Sequence, residues 1–175
     1  MLINLSDILS EHRKTFEENV VIEMTDFFTS FGCFHIVEKQ SMHIVVKHVK
    51  HRELLIEGKA SIALEIPCDR CLEPVRVPFE LEFTKNVELQ ESGDEISDEF
   101  DEKNYIDGYN LDVDKLLYNE ILIGWPMKIL CSEDCKGICN VCGQSLNEGT
   151  CDCEDTSLDP RMSVIRDVFK NFKEV

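Results

Sequence analysis

Cysteines are the residues of this sequence whose types and spacing point most clearly to chemistry. The chain has 175 residues and nine cysteines, and eight of them fall into close pairs. Closely spaced cysteines in an intracellular chain are typical zinc ligands, because a tetrahedral Zn²⁺ binds four thiolates and two short turns supply them. The sequence therefore predicts one or two structural zinc ions per chain. The predicted ligands are Cys68, Cys71, Cys131, Cys135, Cys139, Cys142, Cys151 and Cys153.

Four cysteine pairs can be combined two by two in three ways, and the sequence leaves the choice open. We favour one site made of Cys139, Cys142, Cys151 and Cys153, because the shorter loop costs less entropy to close. Gly143 follows the first of these pairs and can adopt the positive φ that such a knuckle requires. The other four cysteines would then form a second site that joins distant parts of the chain.

Other thiol chemistry fits the pattern less well. The first residues lack the basic and apolar stretches of a secretory signal, so we expect a reducing, cytoplasmic location where disulfides are rare. A redox dithiol at Cys68 and Cys71 should begin a helix, whereas this pair lies between two predicted strands. A catalytic zinc keeps an open position, whereas these pairs offer complete thiolate sets. Cys33 stands alone and is predicted to be a small buried hydrophobic residue.

The charge of the chain disfavours simple nucleic-acid binding. Asp and Glu number 35 and Lys and Arg 18, for a formal net charge of −17, which phosphate backbones repel. Residues 46–52, VKHVKHR, are the most basic patch and the best candidate for a phosphate contact. Residues 91–114 are strongly acidic, and indicate either a solvated loop or a docking strip for a basic partner. No stretch approaches the roughly 18 apolar residues of a membrane span, so no membrane association is predicted.

Four segments indicate β-strands, at 15–25, 41–49, 53–66 and 73–83. In the third, apolar and polar residues alternate over more than ten positions, which is typical of a half-buried strand. The prolines of the fourth segment donate no ladder hydrogen bond and place it at a sheet edge. The turn PCDRCL that joins the last two strands puts the first cysteine pair at a hairpin tip.

A helix is predicted over 112–124, with Asp112 as its N-cap. Glu120 is expected to be a rim carboxylate paired with a lysine, and Trp125 to belong to the core. The predicted inward stripe is Val113, Leu116, Leu117, Ile121 and Gly124, widened by Leu122 and Ile123. A second helix should begin at Asp159 and Pro160, which are favoured N-cap and first-turn residues.

Together these features predict an α+β fold. It comprises an antiparallel sheet, strongly curved or barrel-like, with a few helices and a C-terminal, cysteine-rich zinc-knuckle segment. Residues 1–126 are expected to form the sheet domain, with an acidic loop at 91–111 and the helix at 112–124. Residues 127–175 are expected to contain the zinc-binding segment and the C-terminal helix, packed on the same core.

Two stretches of the chain resemble one known family. The hairpin tip Cys68-Asp69-Arg70-Cys71-Leu72 matches its C-x-R-C-L turn, and roughly residues 50–170 are covered. The C-terminal match comprises Glu120, Pro126, Cys131, Cys135, Gly137, Cys139, Cys142, Gly143, Leu146, Asn147, Cys151, Cys153, Asp159, Pro160 and Arg161. These combined motifs resemble the YceD family, the bacterial large ribosomal RNA subunit accumulation proteins.

The resemblance implies a non-enzymatic ribosome-assembly factor that supports the synthesis, processing or stability of large-subunit ribosomal RNA. It implies a large-subunit ribosomal protein or precursor ribosomal RNA as the partner, and no small-molecule substrate. The residues themselves contain no P-loop, G-x-G-x-x-G, G-x-S-x-G or H-E-x-x-H motif, so we expect no enzyme. Two alternatives stay open. One is an RNA-processing enzyme that uses His48 or His51, and the other is a zinc-dependent protein–protein adaptor for a basic client unrelated to ribosomes.

Overall fold

A computed structural model describes residues 1–9, 15–50, 53–88 and 105–153. The predicted C-terminal helix, most of the acidic strip, and His51 lie outside the described residues. The strands are β1 (Leu2–Asn4), β2 (Thr15–Val20), β3 (Asp26–Thr29), β4 (Gly32–Lys39), β5 (Met42–Lys50), β6 (Glu53–Pro67), β7 (Pro74–Glu88), β8 (Ile106–Asp107) and β9 (Asn110–Asp112). The helices are α1 (Ser6–Leu9) and α2 (Val113–Ile123).

The larger sheet is built around the 15-residue strand β6. Both β4 and β5 pair antiparallel with β6, so β4 and β5 run in the same direction. In the same way, β2 pairs with β5 and β3 pairs with β4. The order is β2-β5-β6-β4-β3, and β7 also pairs with β6. Over the described ranges the sheet is not closed into a barrel, and a smaller sheet has the order β1-β9-β8.

The alternating pattern predicted for β6 is confirmed. Leu54 and Ile56 are fully buried, whereas Glu53 and Lys59 are exposed on the other parity. Strand β7 repeats the alternation, with Pro74 at its exposed first position and β6 as its paired neighbour. The four predicted strands are therefore present. The hydrophobic effect buries one face of each strand, so apolar residues recur at every second position. This period of two is visible in the local sequence.

The sequence analysis missed strands β3 and β4, and its prediction for Cys33 is wrong. Cys33 is exposed and lies opposite Phe28, which is itself 66% exposed. Its neighbour Phe34 faces the core, so Cys33 on the other parity must face outward. Large apolar residues occupy both faces of this hairpin, and they concealed the alternation.

Helix α2 begins as predicted. The Asp112 carboxylate accepts hydrogen bonds from the backbone N–H groups of Asp114 and Lys115, at 3.1 and 3.3 Å. The prediction that Leu122 and Ile123 widen the buried stripe is wrong, because these side chains are 39% and 72% exposed. Each residue turns an α-helix by about 100°, so these two side chains point away from the buried row that ends at Ile121.

Glu120 occupies a buried position in that row and is not a rim carboxylate. Its side chain is 10% exposed, and its Oε1 lies 2.6 Å from the Nζ of Lys85, so the predicted lysine pair is confirmed. The Lys85 ammonium also lies 5.7 Å from the centre of the Tyr105 ring. The ion pair with Lys85 compensates the negative charge of Glu120, which would otherwise be costly to bury.

Glu120→Ala is expected to lower the free energy of unfolding by about 2–3 kcal/mol, because it leaves the ammonium of the partly buried Lys85 without its carboxylate partner. Urea unfolding measures the effect. Glu82→Ala is the matched control, since Glu82 pairs with Lys59 where the side chains are 72% and 66% exposed. That change should cost no more than about 0.5 kcal/mol. Equal losses in the two variants would contradict the structural role of Glu120.

Trp125 lies among aromatic side chains, as predicted for a core residue, and is half-buried. Its ring centre is 5.7 Å from that of the fully buried Phe27. Three further phenylalanines have ring centres 5.3–5.9 Å from it, namely Phe31, Phe34 and Phe79. Rings at these separations pack favourably, and they join the β3–β4 hairpin and β7 to the segment that follows α2.

The chain divides into two compact units. The first comprises Met1–Ile66 and Arg76–Met127, with most of the sheet and both described helices. The second comprises Pro67–Val75 and Lys128–Val175 and contains the eight paired cysteines. The hairpin tip thus belongs to the same unit as the cysteine-rich segment. Within the described residues, no helix has the length and apolar character needed to cross a membrane.

Candidate metal centre

The first cysteine pair is presented by a tight turn between β6 and β7. The Cys68 N–H donates to the Glu73 carbonyl at 2.8 Å, and the Leu72 N–H donates to the Cys68 carbonyl at 3.0 Å. Leu72 adopts a φ of +63°, in the left-handed region that non-glycine residues rarely occupy. The turn therefore holds Cys68 and Cys71 at its tip in a defined arrangement.

The two residues between these cysteines attach the tip to the segment that carries the second pair. The Asp69 N–H donates to the Ile129 carbonyl at 2.8 Å, and the Asp69 carboxylate accepts from the Ile129 N–H at 2.7 Å. The Arg70 guanidinium donates to the Cys135 carbonyl at 2.6 Å. Sequence reasoning missed both roles. The available signal was a pair of opposite charges placed between two predicted ligands.

We call Cys68, Cys71, Cys131 and Cys135 the first cluster. Their Sγ atoms all lie within 4.8 Å of one another, with 3.8 Å between Cys68 and Cys135 and 3.5 Å between Cys71 and Cys131. A tetrahedral zinc site with bonds of about 2.3 Å has sulfur–sulfur edges of about 3.8 Å. A disulfide would need about 2.05 Å. The spacing therefore fits four ligands around one ion.

Three of these four cysteines are buried, and only Cys131 is exposed. The apolar residues packed around the sulfurs are Val75, Leu130 and Ile138. Such a shell limits the access of water and competing ligands to the centre. The first cluster therefore has the enclosed character of a structural site.

Backbone donors stabilise thiolates in the first cluster. Burial raises the pKa of Cys68, but the N–H groups of Arg70, Cys71 and Cys131 outweigh it and lower the pKa to about 6. The Glu73 N–H lowers the pKa of Cys71, but burial and the neighbouring sulfurs raise it to about 12. Four adjacent thiols cannot all ionise unless a cation compensates their charge. A divalent cation at the centre would provide that compensation.

We call Cys139, Cys142, Cys151 and Cys153 the second cluster; their Sγ atoms also lie within 4.8 Å of one another. The Gly143 N–H donates to the Cys139 carbonyl at 2.9 Å, with a φ of +74° at Gly143 as the sequence analysis expected. The Cys139 N–H donates in turn to the Gln144 carbonyl at 2.8 Å. These bonds form the predicted knuckle.

The second cluster has the same electrostatic pattern with less burial. The N–H groups of Cys142 and Val141, aided by Cys151, lower the pKa of Cys139 to about 6. The neighbouring sulfur of Cys142 is the main cause that raises the pKa of Cys153 to about 12. Cys142 is exposed and the other three cysteines are intermediate. Solvent therefore reaches this cluster more readily than the first.

The structure brings the eight paired cysteines together in two groups of four, which is the combination that the sequence analysis favoured. Cys33 belongs to neither group. Among the described residues, these two clusters are the places where three or more metal-ligating side chains converge. His43, on β5 before the basic patch, instead faces Asn19 and Glu17, at 3.1 and 3.5 Å.

The difference in burial predicts an order of metal release. With an excess of chelator, we expect a fast phase from the second cluster and a slow phase from the first, with rates that differ by about tenfold. A metal-sensitive dye follows the release. Alkylation of the thiols that are freed during the fast phase, followed by mass spectrometry, should label Cys139, Cys142, Cys151 and Cys153. Labelling of the first-cluster cysteines in the fast phase would show that the order is wrong.

Comparison with known proteins adds a family and several distant relatives. The sequence model of the family described as "Large ribosomal RNA subunit accumulation protein YceD" matches residues 56–169, which include both clusters. "Uncharacterized protein YlbN" of Bacillus subtilis is 27% identical over 127 residues, which cover 72% of each chain. "Uncharacterized protein Rv2926c" of Mycobacterium tuberculosis is 26% identical over 93 residues, 53% of this chain and 45% of the relative. No solved structure matches.

Proposed function

Because the chain belongs to the YceD family of large ribosomal RNA subunit accumulation proteins, we propose that it is a cytoplasmic, non-enzymatic ribosome-assembly factor held together by two structural zinc ions. It would support the accumulation of large-subunit ribosomal RNA through its synthesis, processing or stability. The observation that carries the proposal is the presence of two complete four-thiolate clusters inside the region that matches the family.

The donor sets support zinc as the metal and scaffolding as its role. Four thiolates in a tetrahedral arrangement favour zinc over the hard cations that prefer oxygen ligands. Each cluster already supplies the four ligands of a closed site, and no position is left for a substrate. A bound ion would cross-link the hairpin tip at Cys68 and Cys71 to the segment at Cys131 and Cys135. Its contribution is thus to fix a surface rather than to activate a reactant.

The charge of the loaded protein supports a basic polypeptide as the direct partner. A zinc ion with four thiolates has a formal charge of about −2, so two filled clusters take the chain from −17 to about −21. Such a surface repels free RNA and attracts Lys- and Arg-rich segments. The partner we propose is a basic large-subunit ribosomal protein, alone or with precursor RNA.

The basic patch supports the same choice. Within it, the Lys47 ammonium lies 2.7 Å from the Glu57 carboxylate, and both side chains are partly exposed. This ion pair lowers the positive charge that the patch could offer to phosphate groups. Direct RNA contact through strand β5 is therefore the weaker route.

Affinity capture of the tagged chain from its native host tests the proposal. We expect a large-subunit ribosomal protein to be enriched at low salt and to be lost as the ionic strength rises, because exposed charges are screened. Mass spectrometry and RNA sequencing identify the captured material. Recovery of a basic protein without any ribosomal component would instead support the adaptor hypothesis. Elemental analysis of the same preparation tests the zinc ions independently.

A further inference from the structure

Asn147 belongs to the loop of one cluster but contacts a ligand of the other. It lies between Cys142 and Cys151 in the chain, yet its Nδ2 donates to the Sγ of Cys135 at 3.4 Å. Its Oδ1 accepts from the Lys136 backbone N–H at 2.7 Å. Because a backbone N–H can only donate, this second bond sets the orientation of the amide and directs its NH₂ group at the sulfur.

The loop that carries Asn147 is attached to the first cluster by its backbone as well. The Leu146 N–H donates to the Gly137 carbonyl at 2.8 Å, and Ile138 and Ser145 form an antiparallel bridge. Gly137 has a φ of +80°, and a Cβ there would lie 3.1 Å from the Arg70 carbonyl oxygen. The segment after Cys135 is therefore confined between the hairpin tip and the loop of the second cluster.

We propose that Asn147 is a positioning residue that couples metal binding at the two clusters. Closure of the second cluster around an ion fixes the loop between Cys142 and Cys151, and so presents the Asn147 amide to Cys135. The amide donor then stabilises the Cys135 thiolate as a ligand of the first cluster. This inference rests on the proposed binding of metal by both clusters.

Physical chemistry gives the size and the symmetry of the effect. Hydrogen bonds to ligand atoms from outside the coordination sphere typically change metal affinity by about 10–100-fold. Coupling between two binding equilibria is reciprocal, so occupation of either cluster should raise the affinity of the other by the same factor. The contact is made by one side chain, which allows the coupling to be removed without changing any metal ligand.

Cadmium-113 NMR of the full chain, combined with chelator competition, tests the coupling. Each filled four-cysteine cluster should give its own resonance, assigned with Cys151→Ser combined with Cys153→Ser. Asn147→Asp keeps the acceptor for Lys136, removes the donor to Cys135 and places a carboxylate oxygen near that sulfur. We expect it to shift the first-cluster resonance and to lower that cluster's cadmium affinity about tenfold or more. Asn140→Ala is the control, because this exposed residue lies inside the second knuckle.

The Asn147 substitution and the loss of the second cluster should have non-additive effects on the cadmium affinity of the first cluster. Loss of the second cluster should weaken the first about tenfold when Asn147 is present, and should have little further effect in the Asn147→Asp background. Asn147→Ala removes the donor without adding a charge, and should also shift the first-cluster resonance and lower that cluster's affinity. The retained second-cluster resonance shows that the variant is folded. An unchanged first-cluster resonance and affinity in both Asn147 variants would overturn the coupling while leaving the two metal sites intact. A parent protein that binds no cadmium would overturn the proposed metal sites themselves.

Discussion

Cys68→Ser is expected to reduce the bound zinc from two ions per chain to one and to unfold the hairpin tip. Cys68 is fully buried, supplies one of four sulfurs, and accepts hydrogen bonds from the N–H groups of Arg70 and Cys131. A serine hydroxyl does not ionise at neutral pH and is a poor zinc ligand. Structural zinc sites have apparent binding energies of about 10–16 kcal/mol, so the loss of one site far exceeds an ordinary core mutation.

Elemental analysis of the bound zinc and hydrogen exchange of the backbone amides test this prediction. The amides of Asp69 and Ile129 are hydrogen-bonded between the tip and the segment before Cys131, and we expect them to lose protection when the ion is lost. Cys33→Ser is the matched control, because Cys33 is exposed and belongs to neither cluster. It should retain two ions and full protection. Two bound ions in Cys68→Ser, or unchanged protection, would exclude a structural role for the first cluster.

Phe27→Ala is expected to lower the free energy of unfolding of the sheet-containing unit by about 3–5 kcal/mol. Phe27 is fully buried, with its ring centre 4.8 Å from that of Tyr118 and 5.7 Å from that of Trp125. The substitution removes these ring contacts and leaves a cavity that the neighbours can fill only in part. Urea unfolding followed by the fluorescence of Trp125, the only tryptophan, provides the measurement.

Phe28→Ala gives a direct control on the same strand. Phe28 follows Phe27 in β3, but it faces outward and is 66% exposed. Its replacement should therefore change the free energy of unfolding by less than about 1 kcal/mol. Comparable losses at the two positions would show that β3 does not have the orientation that buries Phe27.

Several parts of the two cysteine clusters could be predicted from local sequence, because they depend on neighbouring residues. The spacing of Cys139 and Cys142, with Gly143 after them, indicates a knuckle whatever the rest of the chain does. The position of Cys68 and Cys71 at a hairpin tip followed from the alternation in the two flanking strands. Loop length favoured the grouping of the cysteines, and this is the grouping that the structure brings together.

Other features depended on residues far apart in the sequence, and no local pattern contained them. Glu120 can be buried because Lys85, on strand β7, pairs with it, and Asp69 at the hairpin tip accepts a hydrogen bond from the backbone of Ile129.

The sequence by itself determined the thiolate pairs, the period of the long strands and the N-cap of α2, since each is set by the stereochemistry of a few consecutive residues. Only the tertiary structure decided which charges are buried and that Asn147 reaches Cys135, because a hydrogen bond between the loops of two clusters exists only once both are folded side by side.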